Sequence, residues 1–203
     1  MTHDSAAATE SLPFDHRSAA RASLLGLATG DAFGAQFFVP SNLPALSECR
    51  LPSGPWPWTD DTEMACSAFD ALRLRGTVDQ WELAQSLARR HDFDRGYGPA
   101  MNRLLRLVRE GGDWRRLAAE LFDGQGSWGN GAAMRVAPLG AWFAVDLEEA
   151  AWQAARSAAV THTHPEARSA CALPEIAATI AVVTPAPPRP RYVVIHQTAR
   201  RMP

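Results

Sequence analysis

Apolar residues recur along most of the chain at three- and four-residue spacing, the period of a helix with one buried face. Residues 15–37 show it first, through Ala19, Ala22, Leu25 and Leu27, with Gly26, Gly30 and Gly34 falling every fourth position along one side. A glycine inside a helix costs roughly 0.5–1 kcal/mol against alanine, so this stripe predicts close approach of another backbone and a central place for the helix. Residues 40–57 interrupt the period with Pro40, Pro44, Pro52, Pro55 and Pro57, which predicts an extended loop. The period resumes over residues 61–75, with Met64, Ala65, Ala68, Phe69 and Leu72 on the buried side and Gly76 as the stop. Further helices are predicted over 78–90 (Trp81, Ala84, Leu87 and Ala88 inward) and 99–111 (Pro99 in the first turn; Leu104, Leu105 and Val108 as the stripe). Another is capped by Asp113, and one more runs from Asp146, spaced from Glu149 as a capping box, to about Val160. No strand-like alternation of convincing length occurs between the second and fifth of these helices, so the pattern is helical.

The stretch that this pattern leaves unexplained is Trp58-Thr59-Asp60-Asp61-Thr62-Glu63-Met64. Adjacent carboxylates repel by roughly 1 kcal/mol or more in a partly desolvated place, so something must offset them. Two readings fit. Asp60 with Glu63 three residues on has the spacing of a capping box at the head of a helix whose dipole favours acids. Alternatively, Thr59, Asp60 and Asp61 present hard oxygen ligands suited to Mg²⁺, Mn²⁺ or Ca²⁺. Asp31, beside Gly30, is either an exposed acid or a buried group orienting polar neighbours.

A second stretch, residues 123–131, carries Gly124, Gly126, Gly129 and Gly131 ahead of Ala132-Ala133-Met134-Arg135. Such a run can expose backbone N–H groups that cradle phosphates without lysine, or be a plain connection. Arg135 reads as a surface or structural arginine. His162 and His164 have the spacing of a metal pair if a strand held them, but Pro165 favours a helix start and a structural reading of either histidine.

Composition narrows the classes. At 203 residues the chain can bury one sizeable core, and a formal charge of −2 disfavours nucleic acid as a partner. Cys49, Cys66 and Cys171 have no paired spacing, which argues against a disulfide framework or a zinc site and for a reducing cytoplasm. No stretch reads as a signal peptide or membrane span, and residues 1–14 read as a flexible leader. All 20 basic residues under Lys+Arg are arginine, the bias of GC-rich coding.

Four stretches in order, Gly30-Asp31-Ala32-Phe33-Gly34, the Trp58 to Met64 run, Gly129-Asn130-Gly131 with Ala133-Met134-Arg135, and Val160-Thr161-His162, resemble the ADP-ribosylglycohydrolases over roughly residues 18–170. The resemblance implies an all-α orthogonal helical bundle, here over residues 15–175, with a binuclear Mg²⁺ or Mn²⁺ centre. It implies hydrolysis of the bond between ADP-ribose and a modified protein side chain or small acceptor. By it, Thr59, Asp60 and Asp61 ligate one metal and Asp60 or Asp61 positions or activates the nucleophilic water. Gly129, Asn130 and Gly131 line the diphosphate and ribose pocket, and His162 contacts the ADP-ribose.

Two departures stand out. Many family members carry a glutamate shortly after the Gly-Asp motif, and that position is Phe38 here. The family's second Asp-x-Asp-Thr motif is missing, the last acid being Glu175, and residues 176–203 form an atypical Pro/Arg-rich tail. The expectation is a C-terminally truncated or frame-shifted member with an incomplete second metal site, whose alternative role is that of a catalytically impaired ADP-ribose-binding fragment.

Overall fold

The computed structural model describes residues 14–171. Nine α-helices and four short 3₁₀ turns make up the described residues, with no strand among them. The expectations for the leader and the tail fall outside this range.

Helix α1 (His16–Gly34) begins where Asp15 accepts the Ser18 N–H at 3.0 Å. It does not occupy the centre. Ala20 is its one fully buried residue, and Leu25 is 56% exposed. The centre is α3 (Asp60–Arg75), which buries Thr62, Glu63, Met64, Ala65, Ser67, Ala68, Ala71 and Leu72 and packs against α1, α4 (Gln80–Arg90), α7 (Ala137–Trp142) and the 3₁₀ turn Asn130–Arg135. The glycine stripe of α1 likewise departs from expectation: a Cβ at Gly26, Gly30 or Gly34 would meet nothing within 4 Å among the described residues. Gly30 and Gly34 instead line an open cleft.

The proline-rich stretch is not wholly extended. It contains α2 (Leu43–Ser47), in which Pro44 sits in the first turn, where its missing N–H would have no partner anyway. α4 begins two residues later than the periodicity suggests, because Asp79 accepts the Glu82 N–H at 2.8 Å and becomes the N-cap. Trp81 is exposed, at 59%, and the buried face is made by Leu83 with Ala84, Leu87 and Ala88, about a quarter-turn away from it.

The remaining helices are α5 (Pro99–Arg109), α6 (Trp114–Ala119), α8 (Leu147–Ala158) and α9 (Pro165–Cys171). Asp146 caps α8 by accepting the Glu149 N–H at 3.0 Å, yet the Glu149 carboxylate turns away to accept from Gln153 at 2.6 Å, so only half of the capping box forms. Gln153 also accepts the Val78 N–H at 2.8 Å and donates to Thr77, tying α8 to the approach to α4. The core, from Met64 and Leu72 through Leu83, Leu87, Leu104 and Leu105 to Leu139 and Val160, is continuous. Each such side chain contributes about 1.5–3 kcal/mol on burial. No helix among the described residues is long and apolar enough to cross a membrane.

Candidate functional site

The tip of α3 is capped by different residues from those the spacing suggests. Thr59 is the N-cap, its hydroxyl accepting the Asp61 N–H at 3.4 Å. The stronger cap comes from α1. Asp31 accepts from the Thr59 N–H at 2.8 Å, the Thr59 hydroxyl at 2.6 Å, the Thr62 hydroxyl at 2.6 Å and the Thr62 N–H at 3.3 Å. Asp31 is therefore the orienting group, not a free acid. Glu63 does not close a capping box: buried, it accepts from the Asp92 N–H and the Tyr97 hydroxyl, each at 2.9 Å, and ties α3 to the loop before α5.

Asp60 and Asp61 are thereby released from capping. Neither is ion-paired with a basic side chain among the described residues. Burial, then the Asp31 and Glu63 charges, push the Asp60 carboxyl up. Burial, then Asp31 and Asp60, push the Asp61 carboxyl up to about 6. Acids held this way, without a cation to compensate them, suit a hard divalent ion in kind. No three Asp, Glu, His or Cys side chains converge as a metal-holding group among the described residues. An ion here would rest on the Thr59 hydroxyl with Asp60 and Asp61 and complete its shell from water or a ligand. Thr59 fits that duty: its proton is committed to Asp31, which leaves a lone pair free.

The acids line a cleft of about 710 Å³ whose opposite wall includes Gly30, Gly34 and Phe38. Phe38 is 89% exposed there, an aromatic ring where many family members place a glutamate. A second cavity, of about 250 Å³, adjoins it and is lined by Ser127, Gly129, Asn130, Gly131 and His162. Asp60, Gly98, Asn130 and Met134 belong to both walls. The structure thus brings Thr59, Asp60, Asp61, Gly129, Asn130, Gly131 and His162 to two hollows that share part of their lining. A separate groove of about 600 Å³ between α3 and α4 includes two ion pairs in its lining, Asp70 with Arg90 and Arg75 with Glu82.

Contact constrains two of the glycines of residues 123–131, Gly126 most severely. Gly126, at φ 76°, would place a Cβ 2.0 Å from the Thr163 hydroxyl, and Gly131 would place one 3.0 Å from the His162 ring. The loop does not lead straight into an α-helix: a 3₁₀ turn, Asn130–Arg135, intervenes before α7. His164 stays structural, its Nδ1 accepting the Glu166 N–H at 3.3 Å at the head of α9.

Arg135 proves to be wholly buried. It donates from Nε to the Ser157 hydroxyl at 3.0 Å and from a terminal nitrogen to the Ser157 carbonyl at 2.6 Å and the Thr161 hydroxyl at 2.9 Å. Burial pulls its pKa down to about 10, so it remains a cation. The same burial, followed by the Arg135 charge, pulls His162 down to about 3.

The model of the ADP-ribosylglycohydrolase family matches residues 13–195, and the chain belongs to that family. The match runs on beyond the described residues. Among curated relatives, an ADP-ribosylhydrolase ARH3 from Danio rerio is 34% identical over 152 residues, covering 68% of this chain and 41% of the relative. The ADP-ribosylarginine hydrolase Tri1 of Pseudomonas putida (strain GB-1) is 32% identical over 176 residues, covering 76% and 44%. The ADP-ribosyl-[dinitrogen reductase] glycohydrolase of Rhodospirillum rubrum is 31% identical over 169 residues, covering 73% and 53%. The chain thus spans about half the length, or less, of these relatives.

Proposed function

We propose that this chain hydrolyses the glycosidic bond between ADP-ribose and a modified protein side chain or small acceptor, with Mg²⁺ or Mn²⁺ held at the tip of α3. The observation that carries the reading is the shared wall: Asp60 and Asn130 face both the acid cleft and the glycine-loop cavity, so a ligand filling both passes directly beside the unpaired acids. Relatives named for ADP-ribosylarginine and ADP-ribosyl-protein hydrolysis point to ADP-ribosyl-arginine as the first substrate to try.

Each residue has a part that its chemistry supports. The loop N–H groups and the Asn130 amide offer donors to phosphate and ribose oxygens. Thr59, Asp60 and Asp61 hold the cation, with Asp31 fixing the Thr59 hydroxyl. A divalent cation, when bound, supplies Lewis-acid stabilisation of oxygen charge. Cleavage passes through an oxocarbenium-like state at the anomeric carbon, and Asp60 or Asp61 positions the attacking water and accepts its proton. The three cysteines are free, which supports a reducing compartment such as the cytoplasm.

A second reading, ADP-ribose binding without turnover, is favoured by Phe38. One experiment separates the two: release of ADP-ribose from ADP-ribosyl-arginine with and without Mn²⁺, comparing the chain with its Asp60→Ala, Asp61→Ala double variant. Mn²⁺-dependent release that falls by about 10²-fold or more in the variant supports hydrolysis. Binding of ADP-ribose with no release supports the second reading, and Phe38→Glu is then the variant to test for restored turnover. Absence of both binding and release rejects both.

A further inference from the structure

His162 has both ring nitrogens in defined surroundings, and these fix which one carries the proton. Its Nδ1 lies 2.8 Å from the Thr161 hydroxyl oxygen, and its backbone N–H donates to the Ala158 carbonyl at 2.8 Å, so neither residue can easily turn away. The Thr161 oxygen also accepts from Arg135 at 2.9 Å. A guanidinium can only donate, so the Thr161 proton is free to go elsewhere. Thr161 is 1% exposed, and no other acceptor for its hydroxyl lies within hydrogen-bonding distance among the described residues. Were Nδ1 to donate instead, that hydroxyl proton would be buried without a partner, at a cost of about 1–3 kcal/mol. The ring proton therefore belongs on Nε2, which lies 3.6 Å from the Cβ position of Gly129 and 3.1 Å from that of Gly131, at the cavity wall. No described residue accepts from it.

We propose that Arg135 and Thr161 form a positioning pair that locks His162 in its Nε2–H form, so that the ring presents a neutral hydrogen-bond donor to an oxygen of the ligand in the glycine-loop cavity. The guanidinium acts at one remove, by committing one Thr161 lone pair and so orienting its proton. The burial and the Arg135 charge that hold His162 neutral support this role, and they rule the ring out as a general acid near neutral pH. The nature of the ligand rests on the reading above; the lock does not.

The test is a long-range ¹H–¹⁵N correlation spectrum of the full chain, histidine-labelled, at pH 7, for the wild type, Thr161→Val and Thr161→Ser, with ADP-ribose and Mn²⁺ titrations of each. The wild type shows Nε2 protonated and Nδ1 bare. Thr161→Val gives a tautomer mixture and binds ADP-ribose about tenfold more weakly, the worth of one hydrogen bond, with Mn²⁺ affinity unchanged; Thr161→Ser restores both. Nδ1 protonation or an imidazolium in the wild type overturns the proposal, and so does a valine variant with an unchanged spectrum. If the valine variant does not fold, the wild-type spectrum decides alone. A wild type that shows the expected tautomer and fails to bind ADP-ribose supports the lock and sinks the ADP-ribose reading, so the two failures are distinguishable.

Discussion

The two halves of the site solve opposite electrostatic problems. At the tip of α3, Asp60 and Asp61 sit half-buried beside Asp31 with no basic side chain paired to them among the described residues, and their carboxyls are pushed up. Behind the glycine loop, Arg135 is a fully buried cation with no carboxylate among its hydrogen-bond partners, satisfied by two hydroxyls and a carbonyl, with one terminal nitrogen unpartnered among the described residues. Buried charges usually find each other, and here they are kept apart. The separation leaves unpaired acids in the first half, where the proposed cation would sit between them and an anionic ligand, and neutral donors in the second.

The comparison breaks most severely at Asp31. If the acid half is held by that carboxylate, Asp31→Ala strips four donors of their acceptor and costs about 3 kcal/mol in urea unfolding, since hydrogen bonds to a charged group carry about 1.5–3 kcal/mol each and do not add fully. It also weakens Mn²⁺ binding by about 10–100-fold, the usual penalty for losing a group that orients a ligand. Asp60→Asn, by contrast, caps nothing. It lowers Mn²⁺ affinity with a stability change under about 0.5 kcal/mol. Equal destabilisation by the two variants would show that Asp60 is a cap after all.

The second half is tested by acid. His162 has its folded pKa pulled from 6.5 to about 3, so below pH 6.5 the unfolded chain binds a proton that the folded chain refuses. Its contribution to stability is therefore complete above about pH 6.5 and is lost as pH falls toward 3, by about 1.4 kcal/mol per pH unit. Between pH 7 and 5 this slope is opposed by Asp61, whose raised carboxyl takes up a proton in the folded chain as pH falls through about 6, so the test is the difference between the wild type and His162→Gln, whose unfolding midpoints should lose the histidine's share of the slope. A slope unchanged in the variant would place the sensitivity elsewhere.

Gly131→Ala sharpens the geometry with a smaller effect. Its Cβ falls 3.0 Å from the His162 ring, so the ring or the loop shifts by a few tenths of an ångström. ADP-ribose binding, followed calorimetrically, should weaken by about tenfold while stability changes by less than about 1 kcal/mol. An unchanged affinity would mean that the ligand does not reach this wall.

How much of this was legible in the sequence follows from the range of the interactions. Helix positions came from local periodicity, and the loop glycines, His162 and the Thr59 to Asp61 run stood close enough together in sequence to be noticed. What decides the site is not local. The cap on α3 comes from Asp31, 28 residues earlier in the chain, and the lock on His162 reaches 26 residues back to Arg135. Capping-box spacing misassigned Asp60 and Glu63 because it sees only four residues at a time. Arg135 read as a surface or structural arginine, and it is the structural one; nothing local marks a guanidinium for burial. Trp81 was placed inward because it is apolar and three residues before Ala84, but it stands at the flank of the stripe that Leu83, Ala84, Leu87 and Ala88 bury. A positional signal for Asp31 did exist: a lone acid on an otherwise apolar and glycine face, ahead of two threonines that flank adjacent acids.

The smallest expected effect concerns the stripe on α1. Gly30 and Gly34 have helical neighbours and open space at their Cβ positions, so neither close packing nor a left-handed backbone explains them. Helix propensity alone predicts that Gly30→Ala and Gly34→Ala each stabilise the chain by about 0.5–1 kcal/mol, readable as a raised thermal midpoint. Both residues line the acid cleft, however, so the gain in stability should come with weaker ligand binding if the cleft accepts a bulky group against α1. Stabilisation with unchanged Mn²⁺ and ADP-ribose affinity would mean that this wall stands clear of the ligand. Destabilisation would mean that something beyond residues 14–171 packs against the stripe, the close approach that its four-residue spacing first suggested.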